Sequence, residues 1–150
     1  MGYLRKAVRQ DIDLLFEWAN EESVRKNSFS TGKILYDEHQ EWFKHLLTRE
    51  DAGQYIFMQE DGPVGQIRVY VNDGEAEIAY SICIEKRGLG YGKEMLRLLV
   101  EQIKQDFPKV KKLTAKVKPD NTASQKVFLD MGYAEKYRFY ELEVDRIGNG

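Results

Sequence analysis

The segment Glu85-Lys86-Arg87-Gly88-Leu89-Gly90-Tyr91-Gly92 decides the fold of this 150-residue chain. It follows an alternating apolar run and precedes a helical pattern, so it joins a strand to a helix. The first N–H groups of a helix have no partner within it, and the positive end of the helix dipole lies behind them. Glycine lets the chain turn tightly and lets a phosphate approach without meeting a Cβ. The segment therefore predicts a cradle for a pyrophosphate.

Two better-known phosphate motifs do not fit this segment. If Gly88 and Gly90 opened a dinucleotide fingerprint of the form G-x-G-x-x-G, its last glycine would fall on Lys93. The sequence has no Gly-Lys-Ser/Thr, which excludes a Walker P-loop. Spacing alone leaves two interpretations, a ligand-binding loop or a glycine-rich turn without a ligand.

Outward from this loop, the patterns predict one α+β domain over residues 1–150, with a frayed tail at 145–150. Strands are predicted over residues 3–8, 54–59, 64–71, 75–84, 112–117 and 137–144. Helices are predicted over residues 11–18, 36–47, from about 91 to before Pro108, and 121–131.

Composition excludes several classes of protein. The net charge is −2, from 23 basic and 25 acidic side chains, so nothing favours a nucleic-acid or membrane partner. The single cysteine, Cys83, excludes an internal disulfide and a cysteine-rich metal site, and it is expected in the core. No apolar stretch approaches the roughly 18 residues of a membrane span, and the start lacks the apolar core of a secretion signal. We expect a cytoplasmic protein without a metal.

The pattern Arg87-x-x-Gly90-x-Gly92, which ends a strand and opens a helix, resembles the acetyl-CoA pyrophosphate motif of the GNAT superfamily of N-acetyltransferases. The order of elements over nearly the whole chain is similar to that family as well. The resemblance implies a GNAT fold: a mixed, mostly antiparallel sheet of about six or seven strands, flanked by four helices. It also implies a V-shaped splay between the fourth and fifth strands.

The resemblance further implies acetyl-CoA as co-substrate. The backbone N–H groups of residues 89–93 would hold its pyrophosphate, and the edge of Ile82-Cys83-Ile84 would pair with the pantetheine amides. Asn121 would cap a helix and bond the pantetheine arm. The implied cofactor-binding residues are Ile82, Cys83, Ile84, Arg87, Gly88, Leu89, Gly90, Tyr91, Gly92, Lys93, Asn121, Ser124 and Phe128.

Two residues are candidates for the proton transfers. Many family members carry a tyrosine as general acid seven residues after the asparagine, where this chain has Phe128. Ser124 resembles the serine proposed as the acid in the branch that acetylates ribosomal-protein N-termini; alternatively, it bonds N–H groups at the helix start. Glu77, in Glu77-Ile78-Ala79-Tyr80, resembles the Glu-x-x-Tyr stretch of that branch and is predicted as the base; alternatively, it is an exposed strand carboxylate.

The first two helices and the loop between them are expected to bind the acceptor. Trp18-x-Asn20, Val24-Arg25-x-Asn27-Ser28-Phe29 and His39-x-x-Trp42-Phe43 resemble acetyltransferases of nucleotide-linked amino-sugar pathways. The predicted substrate-binding residues are Arg25, Asn27, Ser28, Phe29, His39 and Tyr80. Among the charged side chains of this region, Arg25 or Lys26 is expected to meet the nucleotide diphosphate.

The sequence thus predicts direct acetyl transfer to a primary amine, in the first place a nucleotide-linked 4-amino sugar of surface-glycan biosynthesis. A protein or peptide N-terminal amine stays open as acceptor, and so does a non-catalytic acetyl-CoA-binding module. Small domains of this family often pair through their last strand, so a homodimer is one expected assembly.

Overall fold

Five strands form one mixed sheet in the computed structural model, which describes residues 1–147. The strands are β1 (Tyr3–Lys6), β2 (Ala52–Gln59), β3 (Gly62–Asn72), β4 (Glu75–Ile82) and β5 (Lys112–Ala115). They lie in the order β1-β2-β3-β4-β5. The first four pair antiparallel, and β5 pairs parallel to β4. The sheet is therefore mostly antiparallel, as predicted.

Helices cover both faces of this sheet. They are α1 (Ile12–Ala19), α2 (Glu22–Asn27), α3 (Tyr36–Thr48), α4 (Tyr91–Asp106), α5 (Thr122–Asp130) and α6 (Val144–Ile147). The short α2 was not predicted. It begins where the Glu21 side chain accepts hydrogen bonds from the N–H groups of Ser23 and Val24. Because glutamate is not a favoured N-cap residue, the sequence gives no start signal there.

The sheet has a separate apolar core on each face. On the face that we call the α4 face, α4 and α5 cover Ile67, Val69 and Ile78. On the opposite face, the α1–α3 face, the helices pack Leu15 and Phe43 against the sheet. Successive strand residues point to opposite faces, so every residue of β3 and β4 has a defined side.

An ion pair ties β1 to the start of α1. The two Nη atoms of Arg5 donate to the two carboxylate oxygens of Asp11 at 2.8 Å each, and the N–H of Val8 donates to Asp11 Oδ2 at 2.8 Å. Asp11 is buried, and the hydrogen bond from Arg5 is the main cause that lowers its pKa. This contact fixes the position at which the chain passes from β1 into α1.

The strand predicted over residues 137–144 is wrong. Residues 134–143 belong to no helix or strand, and α6 begins at Val144. The apolar pattern is typical of a strand, but a strand also needs a partner, and nothing among residues 1–147 pairs with the outer edge of β5. The sheet therefore has five strands, and the large apolar side chains of this segment are exposed: Tyr137, Phe139, Tyr140 and Leu142.

The predicted tail at 145–150 is described only in part. Residues 145–147 belong to α6, and residues 148–150 lie outside the described residues. No helix within residues 1–147 combines the length and apolar character that a membrane crossing requires.

Candidate active site

The glycine loop before α4 presents free backbone donors. Gly88 and Gly90 adopt positive φ angles of 77° and 82°, and Gly90 is the N-cap of α4. A Cβ added at either position would meet no atom within 4 Å, so glycine is needed there for the backbone conformation while the space in front stays open. No hydrogen bond among the described residues is donated by the backbone N–H groups of residues 88–93. The loop therefore fits a pyrophosphate.

The third glycine of the loop has a different function. A Cβ on Gly92 would lie 3.6 Å from the Tyr80 ring and 3.8 Å from Val127, so this position packs the start of α4 against β4 and α5. Lys93 forms an ion pair with Asp130 of α5 at 2.8 Å. Gly92 and Lys93 thus fix the loop relative to α5.

Arg87 joins the loop to α2. Its Nε donates to the carbonyl of Ile82 at 2.9 Å, and its Nη atoms donate to Ser23 Oγ at 2.6 Å and to Glu21 Oε2 at 3.1 Å. The hydrogen bond from Ser23, with a smaller contribution from Arg87, lowers the pKa of Glu21 to about 2. The Arg87 side chain therefore holds α2 and the loop together.

The predicted splay between the fourth and fifth strands is confirmed. Pairing between β4 and β5 ends at Ile78 and Ala115, so β4 beyond Ile78 has no strand partner on that side among the described residues. The strand itself ends at Ile82, two residues earlier than predicted, because a 3-10 turn starts at Ile84. The Cys83 N–H bonds the Val64 carbonyl. Of Ile82-Cys83-Ile84, only the first residue thus belongs to the open strand.

Two hydroxyl groups meet at the start of α5. The Asn121 side chain accepts a hydrogen bond from the Ser124 N–H at 3.3 Å and so caps the helix. The Ser124 hydroxyl is hydrogen-bonded to the Tyr80 hydroxyl at 3.2 Å. Burial raises the pKa of Tyr80, so this phenol keeps its proton at neutral pH.

Phe128 belongs to the core. It is buried, and its ring packs edge to face against Tyr80 with 5.7 Å between centroids. Phe128 has no hydroxyl at the position of the family's usual tyrosine, and the Tyr80 hydroxyl of β4 lies against Ser124 of the same helix. The sequence placed Tyr80 among the substrate-binding residues and did not predict its contact with Ser124.

Glu77 lies on the α1–α3 face of β4, opposite Tyr70 of β3. Its side chain is nearly half exposed and forms an ion pair with Lys116 at 3.4 Å. It is two residues before Ala79, where β4 loses its partner. Its predicted role as base stays a prediction.

The residues predicted to bind the acceptor divide into exposed and structural groups. Phe29 is exposed, with Lys118 Nζ 6.0 Å from its ring centroid. The Ser28 hydroxyl donates to the Val24 carbonyl at 2.6 Å. His39 is buried, and its Nε2 lies 3.1 Å from the Ile12 carbonyl. Asn27, the last residue of α2, is partly buried.

Arg25 is engaged within the protein. It donates to the carbonyls of Ala19 at 2.6 Å, Ser30 at 2.8 Å and Gly32 at 3.2 Å, and to Ser28 Oγ at 3.3 Å. The guanidinium therefore organises the loop between α2 and α3. It is not a free group for a diphosphate.

Beside these residues, a cleft of about 220 Å³ lies between α1–α2 and the end of β4. Its lining includes Trp18, Val24, Ser81 and Cys83. Within residues 1–147, no group of three or more histidine, cysteine, aspartate or glutamate side chains is placed to hold a metal ion.

One charged residue of this face, Arg68, was not singled out in the sequence. It lies in the middle of β3, between the buried Ile67 and Val69. An arginine within a central strand that has helices on both faces is unusual, because each face is covered. That pattern is the signal that sequence reasoning missed.

Comparison with known proteins identifies the family. Residues 3–134 match the family model described as an acetyltransferase (GNAT) domain, and the chain belongs to this family. The chain is thus an N-acetyltransferase with acetyl-CoA as its co-substrate, as the sequence predicted. No curated protein matches the sequence significantly.

Solved structures share the fold. The aminoglycoside acetyltransferase AAC(6')-Ib in complex with coenzyme A is 22% identical, with a TM-score of 0.78 over 91% of this chain and 86% of that chain. Spermidine N-acetyltransferase from Vibrio cholerae, in complex with CoA and spermine, is 16% identical, with a TM-score of 0.82 over 91% and 82%. A domain from Methanocaldococcus jannaschii is 22% identical, with a TM-score of 0.81 over 94% and 93%.

Proposed function

We propose that this enzyme transfers an acetyl group directly to a primary amine, and that Ser124 and Tyr80 supply the proton that the transfer requires. The observation that carries this proposal is the hydroxyl pair at the start of α5, 3.2 Å apart and next to Gly92 of the loop. A neutral hydroxyl near a departing thiolate is suited to protonate it.

The roles of the individual residues follow from their placement. Acetyl-CoA, when bound, supplies the activated thioester. The N–H groups of residues 88–93 hold its pyrophosphate, and the open edge of β4 aligns its pantetheine arm. Ser124 Oγ donates a proton, and the Tyr80 hydroxyl donates a hydrogen bond to Ser124 Oγ. Because burial keeps Tyr80 protonated, this donor is available throughout the neutral pH range.

Glu77 is the proposed base, which removes a proton from the acceptor ammonium directly or through water. The position of Glu77 supports this role, because Glu77 lies on the α1–α3 face beside the point where β4 and β5 separate. The ion pair with Lys116 keeps the carboxylate on this side of the strand.

For the acceptor, we propose a small-molecule primary amine. Two proteins of the same fold have been solved with such ligands: AAC(6')-Ib with kanamycin, and the Vibrio enzyme with spermine. A nucleotide-linked 4-amino sugar remains the proposed acceptor, with a peptide N-terminal amine as the alternative. Arg25 is not proposed to bind the diphosphate of such an acceptor, because it already makes four hydrogen bonds within the protein.

We also propose that the enzyme is a cytoplasmic homodimer. Within residues 1–147, the outer edge of β5 has no strand partner and the large apolar side chains of residues 137–142 are exposed, which supports pairing of two copies. Light scattering of the purified chain should give twice the monomer mass. The monomer mass at micromolar concentration would refute the pairing.

A thiol-release assay with a panel of amines tests the proposed function. The panel contains UDP-linked amino sugars, peptides with free N-termini, polyamines and aminoglycosides. We expect one released thiol per acetylated amine with at least one of these classes. Acetyl-CoA binding without turnover of any class would instead support the binding module.

A further inference from the structure

Arg68 lies against two aromatic rings and forms no ion pair within residues 1–147. Its guanidinium carbon lies 5.0 Å from the ring centroid of Trp42 and 5.6 Å from that of Tyr70. Its Nε has lost contact with solvent and has no hydrogen-bond partner. In the part of the chain that the structure describes, no ion pair involves this residue. The residue as a whole is only partly buried, but its Nε is shielded from solvent without a hydrogen-bond partner, which costs solvation energy, so Arg68 calls for an explanation.

The position of Arg68 connects it to the proposed site. It lies opposite Ala79 of β4, the first residue beyond the end of β4–β5 pairing. On the same face, Gln66 donates a hydrogen bond to Ser81 Oγ at 3.1 Å, and Ser81 lines the cleft beside α1 and α2. Arg68 therefore belongs to the α1–α3 side of the slot between β4 and β5.

A second arginine reinforces the positive charge. All the hydrogen bonds of Arg25 go to uncharged oxygen atoms. Burial and, second, the positive charge of Arg68 lower the pKa of Arg25, so the two guanidinium groups repel each other. The nearest carboxylate along β4 on this face is that of Glu77, diagonal to Arg68, and it forms its ion pair with Lys116. Within residues 1–147, neither Arg25 nor Arg68 forms an ion pair with a carboxylate.

We propose that the acceptor of this enzyme carries an anionic group, a carboxylate or a phosphate, which Arg68 binds through its Nη atoms. This inference rests on the proposed function and narrows its substrate class. A guanidinium presents paired donors that match the oxygens of either group, and Trp42 and Tyr70 hold its plane. An anion bound there would form the ion pair that Arg68 lacks within residues 1–147.

Acidic side chains of the cleft are available to bind the ammonium end of the acceptor. Glu17 and Glu85 line the cleft next to Ser81. The face thus offers carboxylates to a cation and Arg68 to an anion. A polycation such as spermidine has no group that could bind Arg68, whereas an amine with its own anionic group fits both ends.

Matched pairs of amines test this proposal by thiol release. Glucosamine 6-phosphate is compared with glucosamine, and β-alanine with β-alaninamide, so that phosphate and carboxylate are distinguished; spermidine is the polycation. We expect the anionic member of at least one pair to have a kcat/KM about tenfold higher than its neutral partner, mainly through KM. Equal values within both pairs, or a preference for spermidine, would overturn the proposal.

Variants locate the effect. Arg68→Gln should abolish the preference for the anionic member while acetyl-CoA affinity, measured by calorimetry, stays unchanged. Arg68→Lys keeps the charge and should keep part of the preference. If Arg68 acted only through packing, the charge of the lysine would not preserve it. Arg9→Gln removes an exposed arginine elsewhere and is the matched control, with no expected change.

An NMR measurement on the wild-type chain separates this inference from the proposed function. Titration with inorganic phosphate, and separately with acetate, should shift the Nε–H signal of Arg68 saturably and leave that of Arg9 unchanged. A signal that does not move with either anion would refute the anion site, even if amines are turned over. Failure to bind acetyl-CoA would refute the proposed function and leave the NMR result to decide on Arg68.

Discussion

The two faces of the sheet offer different kinds of contact. On the α4 face, most of the proposed contacts to acetyl-CoA come from backbone N–H groups, whose positions follow from the glycine loop, while the Ser124–Tyr80 hydroxyl pair joins α5 to β4. On the α1–α3 face, the proposed contact to the acceptor comes from the side chain of Arg68, whose surroundings depend on packing between helices and sheet, and Arg25 organises the loop between α2 and α3. The proposals thus place donor binding mainly in a local backbone motif and acceptor choice in tertiary contacts.

The largest expected effect is on the α4 face. Ser124→Ala removes the proposed proton donor and should lower kcat about a hundredfold, with little change in acetyl-CoA affinity. Tyr80→Phe should lower kcat less, because Ser124 keeps its own proton. The double variant should resemble Ser124→Ala alone, since the two hydroxyls act as one unit. Steady-state rates of all three variants check this, and strictly additive effects would mean that the hydroxyls work independently.

On the α1–α3 face, the Arg5–Asp11 pair tests how much a buried ion pair contributes to the stability of the fold. Asp11→Asn should destabilise the protein by about 2 kcal/mol, because it breaks a buried, charge-assisted contact. Asp51→Asn breaks a pair of similar geometry in an exposed place, and urea unfolding should show no measurable change for it. Equal losses for the two variants would contradict the role given to burial.

The same pair predicts a pH dependence. Since the folded-state pKa of Asp11 is lowered, its contribution is complete above the ordinary aspartate pKa of about 4 and is lost as the pH falls through the folded-state value. The difference in unfolding free energy between wild type and Asp11→Asn should therefore shrink below about pH 4. If the difference in unfolding free energy stayed constant below about pH 4, the lowered pKa of Asp11 would not contribute to stability.

The proposed base should show a smaller effect. Glu77→Gln should lower kcat/KM about tenfold at neutral pH, because water replaces the half-exposed carboxylate only in part. Glu75→Gln changes the same group two residues earlier on the same strand face and should keep the wild-type value. If both variants retained full activity, another group would have to accept the proton.

The smallest effect is expected at Arg25. Arg25→Lys loses the planar fork that binds several carbonyls, and it should raise the acceptor KM roughly threefold while the affinity for acetyl-CoA stays unchanged. Lys33→Gln, an exposed change in the same loop, is the control. A loss of acetyl-CoA affinity in Arg25→Lys would show that the two faces are coupled.

Sequence reasoning reached the glycine loop and the cap at Asn121 because each follows from local backbone chemistry, and it reached the β4–β5 splay through the resemblance to the family. It failed where the structure of a segment depends on contacts with distant parts of the chain. The segment over residues 137–144 has a strand composition, but it has no strand to pair with in the described chain. The sequence shows that Phe128 has no hydroxyl, but only the fold shows that the Tyr80 hydroxyl of β4 lies against Ser124.

Calorimetric titration with acetyl-CoA tests the central claim, that the glycine loop binds the donor. Gly90→Val is compared with Gly62→Val, since both glycines have positive φ and open space in front, but Gly62 is the first residue of β3, away from the loop. We expect the wild type and Gly62→Val to bind with similar affinity and Gly90→Val to bind at least about tenfold more weakly. No binding by the wild type, or full affinity in Gly90→Val, would contradict the account.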